Sequence, residues 1–308
     1  MTSPSYWQSP HGRALPTPGG RTLLMGVLNL TPDSFSDGGE LPSLQAVVDR
    51  AGAMLVAGAD ILDLGGESTR PEAAPISAAE EMERVLPAIK AVREAFSSAP
   101  LSIDTYKAEV ARAAVAAGAD VVNDVWGGLH GFSAARRREL IASLHHPTAS
   151  TQLAVDESPL AAVVADLGCP LILMHNRPDR DYKDFWPEVL DDLRLSVLVA
   201  RSAGIAHHQL WLDPGFGFAK EPAQNLEVLR HLARVVELGF PVLLGTSRKS
   251  TLGRVLDAPV EDRLDATGAT LVWGIQQGCQ MVRVHDVAPM RRFVKMADAL
   301  RAGLAWTP

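Results

Sequence analysis

At 308 residues, 47% hydrophobic and 21% charged, the chain has the composition of a folded globular protein and the length of one large domain or two small ones. A net charge of −7, from 29 basic and 36 acidic residues, gives no general attraction to nucleic acid or to an anionic membrane surface, so an anionic ligand must be met by locally placed Arg, Lys or helix N-termini. No apolar run is long enough to cross a bilayer, and Cys169 and Cys279 lie in apolar settings as free buried thiols, so the chain reads as cytoplasmic.

Residues 1–22, rich in Pro, Ser and Gly, predict an extension that is a small hairpin or flexible and lightly docked, and the folded unit runs over 23–308. Leu23–Leu28 is an apolar run of the kind a strand buried on both faces shows. It turns polar at Asn29 and stays so through Thr31, Asp33, Ser34, Ser36 and Asp37 to a double glycine. An amphipathic helix over 43–57 ends at Gly58, and the strand Ile61–Leu64 runs into Gly65-Gly66-Glu67-Ser68-Thr69-Arg70-Pro71. The helix over 77–96 starts at a Ser with an acid three residues on. Strand Leu101–Ile103 leads to Asp104-Thr105 and a helix over 107–117, and Val121-Val122 leads to Asn123-Asp124. The later strands end likewise: Leu171–Met174 at His175-Asn176, Leu210–Leu212 at Asp213-Pro214-Gly215, Val242–Leu244 at Gly245 to Ser250, and Met281–Val284 at His285-Asp286.

Eight strand–helix units with no dividing linker imply a parallel sheet with right-handed crossovers, and at this length a closed (β/α)8 TIM barrel, an α/β fold. An open doubly wound sheet is the alternative, weakened because no glycine fingerprint follows the first strand. One irregular stretch, 129–156, is inserted between the fourth strand and its helix; its Arg136-Arg137-Arg138 reads as a solvated helix face, and its paired histidines lack metal-site spacing.

In a barrel all C-terminal strand ends open on one rim, so Asn29, Glu67, Asp104, Asn123, His175, Asp213, Ser247 and His285 converge. Asp104, Asp213 and Asn123 would stand beside Lys249. Buried carboxylates need partners, and a heterocyclic edge with a ring N–H next to an exocyclic amine matches a carboxylate's two oxygens; an internal Asp–Lys pair is the alternative. Thr69, Arg70, Arg283 and His285 form a cationic group suited to a phosphate or diphosphate, and Asn29 could hold a hydrated Mg2+. The segment Gly245 to Ser250 lacks P-loop spacing, which rejects a nucleotide site, and Ser250 near a helix N-terminus favours a small anion.

The phrases LNLTPDSFSDGG, GGESTRP, SIDTYK, NDVWGG, LMHN, LDPGFGF, GTSRKS and VRVHDV, in this order across nearly the whole chain, resemble the dihydropteroate synthase family. The resemblance implies a transferase that joins 6-hydroxymethyl-7,8-dihydropterin diphosphate to 4-aminobenzoate. It implies that Asp104, Asn123, Met174, Asp213 and Lys249 hold the pterin and that Arg283 covers its ring. It places the diphosphate on Asn29, Thr69, Arg70, Arg283 and His285, with Mg2+ beside Asn29. It forms the aminobenzoate pocket from Phe35, Pro71, Phe218, Lys249 and Ser250, where sulfonamides compete, and it implies a homodimer. Glu72 stands where the family usually has Gly, and Thr251 where an aromatic is common. A methyltetrahydrofolate-binding methyltransferase domain would have no use for Thr69-Arg70 or for the Arg283–His285 pair. A catalytically silent pterin-binding paralogue should have lost some of these cationic residues, and none is missing.

Overall fold

Period-two alternation in short apolar strands sorts each strand's side chains onto two sides, and here both sides are covered. The computed structural model describes residues 7–31, 43–68, 74–145 and 157–307. Its elements in order are β1 (Leu23–Asn29), α1 (Leu44–Val56), β2 (Ile61–Gly65), α2 (Ala78–Ala95), β3 (Leu101–Asp104), α3 (Ala108–Ala116), β4 (Val121–Asp124), α4 (Ala134–His145), α5 (Pro159–Leu167), β5 (Leu171–Met174), α6 (Phe185–Ser202), β6 (Leu210–Asp213), α7 (Pro222–Arg230), α8 (Ala233–Val236), β7 (Leu243–Leu244), α9 (Ser250–Leu256), α10 (Leu264–Gln276), β8 (Met281–Val284) and α11 (Val287–Ala302). All strand pairings are parallel, in the order β6-β5-β4-β3-β2-β1-β8-β7. The parallel bridge between Leu212 and Val242 joins the two ends, so the sheet closes into the expected (β/α)8 barrel.

Leu24, Leu62, Leu64, Leu101 and Ile103 face outward into the helical layer, while Leu23, Met25, Ile61, Val121, Ile172, Trp211, Leu243 and Met281 fill the barrel's lower interior. Trp7 completes that inner cluster: it is buried, its ring centroid lies 4.6 Å from that of Trp211, and its Nε1 donates to Pro16 O at 2.8 Å. The following residues fasten to Asp120 at the start of β4, whose carboxylate accepts from Ser9 Oγ (2.5 Å), Arg13 Nε (2.8 Å), Arg93 Nη2 (2.8 Å) and Leu101 N (3.0 Å). The segment after Trp7 is therefore a plug across the barrel floor, held more closely than its composition suggests. Trp7→Ala should lower the unfolding free energy by about 3–5 kcal/mol, read from urea denaturation, because the floor cannot collapse around the vacated volume.

Part of the stretch 129–156 is a helix, α4, packed on α6. The expectation of a solvated Arg triplet is corrected there: Arg137 is buried, with Nη2 donating to Asn176 O at 3.1 Å, and Arg136 pairs with Glu157 at 2.6 Å. Residues 146–156 lie outside the described residues. Among the described residues no helix is long and apolar enough to cross a membrane, and both cysteines are free and buried.

Candidate active site

Above the apolar layer the inward positions become polar. Two glycines mark where the side chains around them meet. A Cβ on Gly65 would sit 3.5 Å from Asp104 Cβ and 3.8 Å from Asn29 Oδ1, and one on Gly245 would sit 3.8 Å from Arg283 Cβ and 4.0 Å from Asp213 Oδ2. The ends of β1, β3, β6 and β8 thus share one small chamber, with Asn123 and Met174 entering from β4 and β5.

The chamber is organised around Arg283. Its Nε donates to Asp63 Oδ2 and its Nη2 to Asp104 Oδ2, each at 2.6 Å, and Asn123 Nδ2 reaches Asp63 Oδ2 at 3.4 Å. Burial works against the guanidinium's charge, and Asp63 and Asp104 more than offset it, so its pKa is raised. Burial also raises the pKa of Asp104; Arg283 opposes that shift and Asp63 adds to it. Sequence reasoning placed Arg283 among free phosphate-facing cations and offered Lys249 as an internal partner for a carboxylate. The structure instead gives Asp104 to Arg283. Asp63 was missed, although an Asp in the inward phase of the otherwise apolar Ile61–Leu64 was the available signal. Asp63 Oδ1, Asp104 Oδ1 and Ser102 Oγ are buried without a hydrogen-bond partner, leaving acceptor capacity for a ligand.

Asp213 Oδ1 accepts from Gly215 N at 2.7 Å. Burial pushes its pKa up to about 6, against Gly215, Lys249, Arg283 and Lys220. Lys249 caps the start of α9, and its Nζ lies 4.0 Å from the Phe218 ring centroid. Burial, then Arg283, lowers its pKa to about 8, opposed by Asp213 and Asp104. Ser250 is the first residue of α9. Thr251 is buried, and its hydroxyl accepts from Asn225 Nδ2 at 3.1 Å while Asn225 Oδ1 accepts from Gly217 N at 2.6 Å.

His285 and Ser247 meet at the rim: Ser247 Oγ accepts from His285 N at 3.2 Å and lies 3.0 Å from Nδ1. Burial, then Arg283 and Arg248, pushes the imidazole's pKa down to about 3. His285 is therefore a neutral donor in the ligand-free protein, which corrects its assignment to the cationic group. His175 does not join the rim, because it follows the inward Met174 and turns outward to Lys220, whose Nζ is 2.7 Å from Nδ1. Glu67 is engaged by Lys107 at 2.5 Å and Tyr106 at 3.2 Å. Phe35, Thr69, Arg70, Pro71 and Glu72 lie outside the described residues. A cleft of about 350 Å³ opens beside Phe218, bounded by Glu67, Tyr106, Trp126 and Arg177; Asp104, Asp213, Lys249 and Arg283 are not in its walls.

Among the described residues no group of three or more His, Cys, Asp or Glu side chains is arranged to hold a metal. Asn29 Oδ1, 3.8 Å from where a Cβ on Gly65 would sit, is an oxygen donor of the kind Mg2+ accepts while keeping most of its waters.

Residues 25–285 match the family model described as pterin binding enzyme. The chain is 46% identical over 280 residues to dihydropteroate synthase of Bacillus subtilis, covering 91% of this chain and 89% of that one. Among solved structures, dihydropteroate synthase from Clostridium difficile in the presence of pteroic acid has a TM-score of 0.81 at 41% identity, covering 93% of this chain and 99% of that chain. The Xanthomonas albilineans enzyme with 4-aminobenzoic acid has a TM-score of 0.78 at 39% identity, covering 92% and 94%. With a family model matched from β1 to the end of β8 and relatives of this identity over most of their length, the chain belongs to the dihydropteroate synthase family of pterin-binding enzymes.

Proposed function

We propose that this transferase joins 6-hydroxymethyl-7,8-dihydropterin diphosphate to 4-aminobenzoate at the barrel mouth, with the chamber residues in the roles below. One observation carries the assignment: Asp104, Asn123, Asp213, Lys249 and Arg283 form a single set, buried or half-buried, in which acceptor atoms remain free. A pterin's ring N–H and neighbouring amine suit Asp213, whose Oδ2 is left over from the Gly215 bond, while Asp104 Oδ1 and the Asn123 amide take the next ring atoms. Met174 packs beneath the ring, Lys249 donates to its edge and Arg283 covers its face.

Departure of diphosphate from the pterin methylene leaves a cation conjugated with the ring, so negative charge is needed near the pterin and positive charge or N–H donors near the leaving group. Asp104 and Asp213 supply the first. Arg283, the neutral imidazole of His285, Thr69, Arg70 and Asn29 supply the second. A Mg2+ held by Asn29, when bound, would neutralise diphosphate charge. The aromatic amine then attacks the methylene, oriented by Phe35, Pro71, Phe218, Lys249 and Ser250, and sheds its proton after the C–N bond forms; no covalent enzyme intermediate is required. Exposed Trp273, Met296 and Leu300 on α10 and α11 support a homodimer, and a cytoplasmic location accords with the free thiols.

The test is diphosphate release by the purified protein given the pterin diphosphate and Mg2+, with and without 4-aminobenzoate. Release dependent on the amine, with 7,8-dihydropteroate formed, supports the assignment; binding of the pterin without turnover points instead to a silent paralogue. The dependence of kcat/KM on pH should be bell-shaped. Activity falls on the acid side as Asp104 and Asp213, both raised by burial, take up protons, Asp213 near pH 6, and it falls above about pH 8 as Lys249 loses the proton it donates. His285, neutral down to about pH 3, adds no limb.

A further inference from the structure

Lys220 carries a buried charge that no carboxylate touches among the described residues: it is 4% exposed, and Nζ donates only to His175 Nδ1 at 2.7 Å, Gly215 O at 3.2 Å and Phe218 O at 3.2 Å. Burying an ammonium without an ion-pair partner is unfavourable by several kcal/mol, so a structural filler would more economically be apolar. While Lys220 is protonated it has no lone pair to accept with, so Nδ1 is then the unprotonated nitrogen and the ring proton sits on Nε2, which lies 3.3 Å from Asp192 Oδ2 without hydrogen-bond alignment. Arg177 Nε lies 3.3 Å from the same oxygen. The ammonium is thus tied to His175 at the end of β5 on one side and to the turn after β6 on the other.

That turn holds an unusual shape. Gly215, Gly217 and Ala219 all have left-handed backbone, with φ of +68°, +86° and +45°, and for the alanine this costs about 1 kcal/mol. A Cβ at Gly215 would run into the carbonyl oxygen of His175, so the turn lies directly against the end of β5. Lys220 ties two of its carbonyls, Asn225 ties Gly217 N, and Tyr182 Oη donates to Ala219 O at 2.9 Å. The turn presents two things to the mouth: Asp213, fixed through Gly215 N, and the Phe218 ring beneath Lys249.

We infer that Lys220 is a positioning residue of the transferase: by tying Gly215 O and Phe218 O to His175, it shapes the turn that presents Asp213 to the pterin and Phe218 to Lys249 and the aminobenzoate. The inference rests on the roles proposed above for Asp213 and Phe218 and adds a residue that meets neither substrate. Its charge has a second effect. Asp213 is faced by Lys249, Arg283 and Lys220, and Lys220 by Asp213, Asp192, Arg177 and Lys249. Burial lowers the Lys220 pKa to about 7, so near pH 6 it is charged and favours the ionised form of Asp213.

Two variants of the full chain separate shape from charge. Lys220→Met removes donors and charge at similar volume: KM for both substrates should rise about tenfold or more, and the Asp213 carboxyl titration, followed by carbon NMR in the ligand-free protein, should move up by about half a pH unit or more. Lys220→Arg keeps the charge, but a planar fork cannot meet three acceptors clustered around a point, so KM rises while the Asp213 titration stays in place. A folded Lys220→Met with KM values within about twofold of the parent, or with the titration unmoved, overturns the inference, as does Lys220→Arg with unchanged KM. If Lys220→Met does not fold, Lys220→Arg decides through KM. If the parent forms no dihydropteroate, the proposed function fails separately, and the NMR titration still decides whether Lys220 acts on Asp213.

Discussion

Arg283→Ala should lower kcat by about a hundredfold to a thousandfold and destabilise the fold by about 3–5 kcal/mol at neutral pH. The two losses have different origins. The catalytic loss comes from removing a fixed positive charge where the diphosphate departs and from uncovering the pterin ring. The stability loss comes from Asp63 and Asp104, which share the one guanidinium and would be left buried without it. Adding Asp63→Asn to Arg283→Ala separates them, because the second change removes one stranded carboxylate and should recover part of the unfolding free energy with no recovery of kcat. Urea unfolding and steady-state rates on the two single variants and the double variant give the cycle. Parallel recovery of both quantities would mean that Arg283 matters to the reaction only by keeping the barrel folded.

Asp213→Asn should cut kcat/KM by about 10⁴-fold, since an amide presents N–H to a substrate edge that itself needs an acceptor, and a site built around such a bond discriminates by that order. Its stability effect has the opposite sign. The folded-state pKa of Asp213, about 6, is raised above the ordinary carboxylate value, so the contribution it makes in the protonated form is present at low pH and is lost as pH rises through about 6. At pH 8 the parent holds a buried carboxylate that the variant lacks. With the Asn carbonyl oxygen still accepting from Gly215 N, the variant should be more stable there by about 1–3 kcal/mol, with the difference shrinking toward pH 4. A less stable variant at pH 8 would assign Asp213 a structural role and weaken its place as the pterin's acceptor.

Much of this molecule was legible before any coordinates. Strand phase, helix stops and polar strand ends depend on residues one to four positions apart, so the barrel and the rim positions of Asn29, Asp104, Asn123, Asp213 and His285 follow from local pattern once closure is assumed. The motifs then identified the family, and the alignment to its members agrees over most of the chain. His175 failed that reasoning because a shift of one residue past an inward position reverses direction. Arg137 failed it because a charged helix position is exposed or covered according to what packs on it, and here α6 does.

What the sequence determined by itself was the layering: apolar strands covered by helices, with chemistry collected at one end. Only the tertiary structure decided who pairs with whom. Arg283 and Asp63 are 220 residues apart along the chain, and Lys220 and His175 are 45 apart. Their charges, protonation and free lone pairs depend on distances set by barrel closure and on the loss of water inside it, quantities that no local pattern encodes.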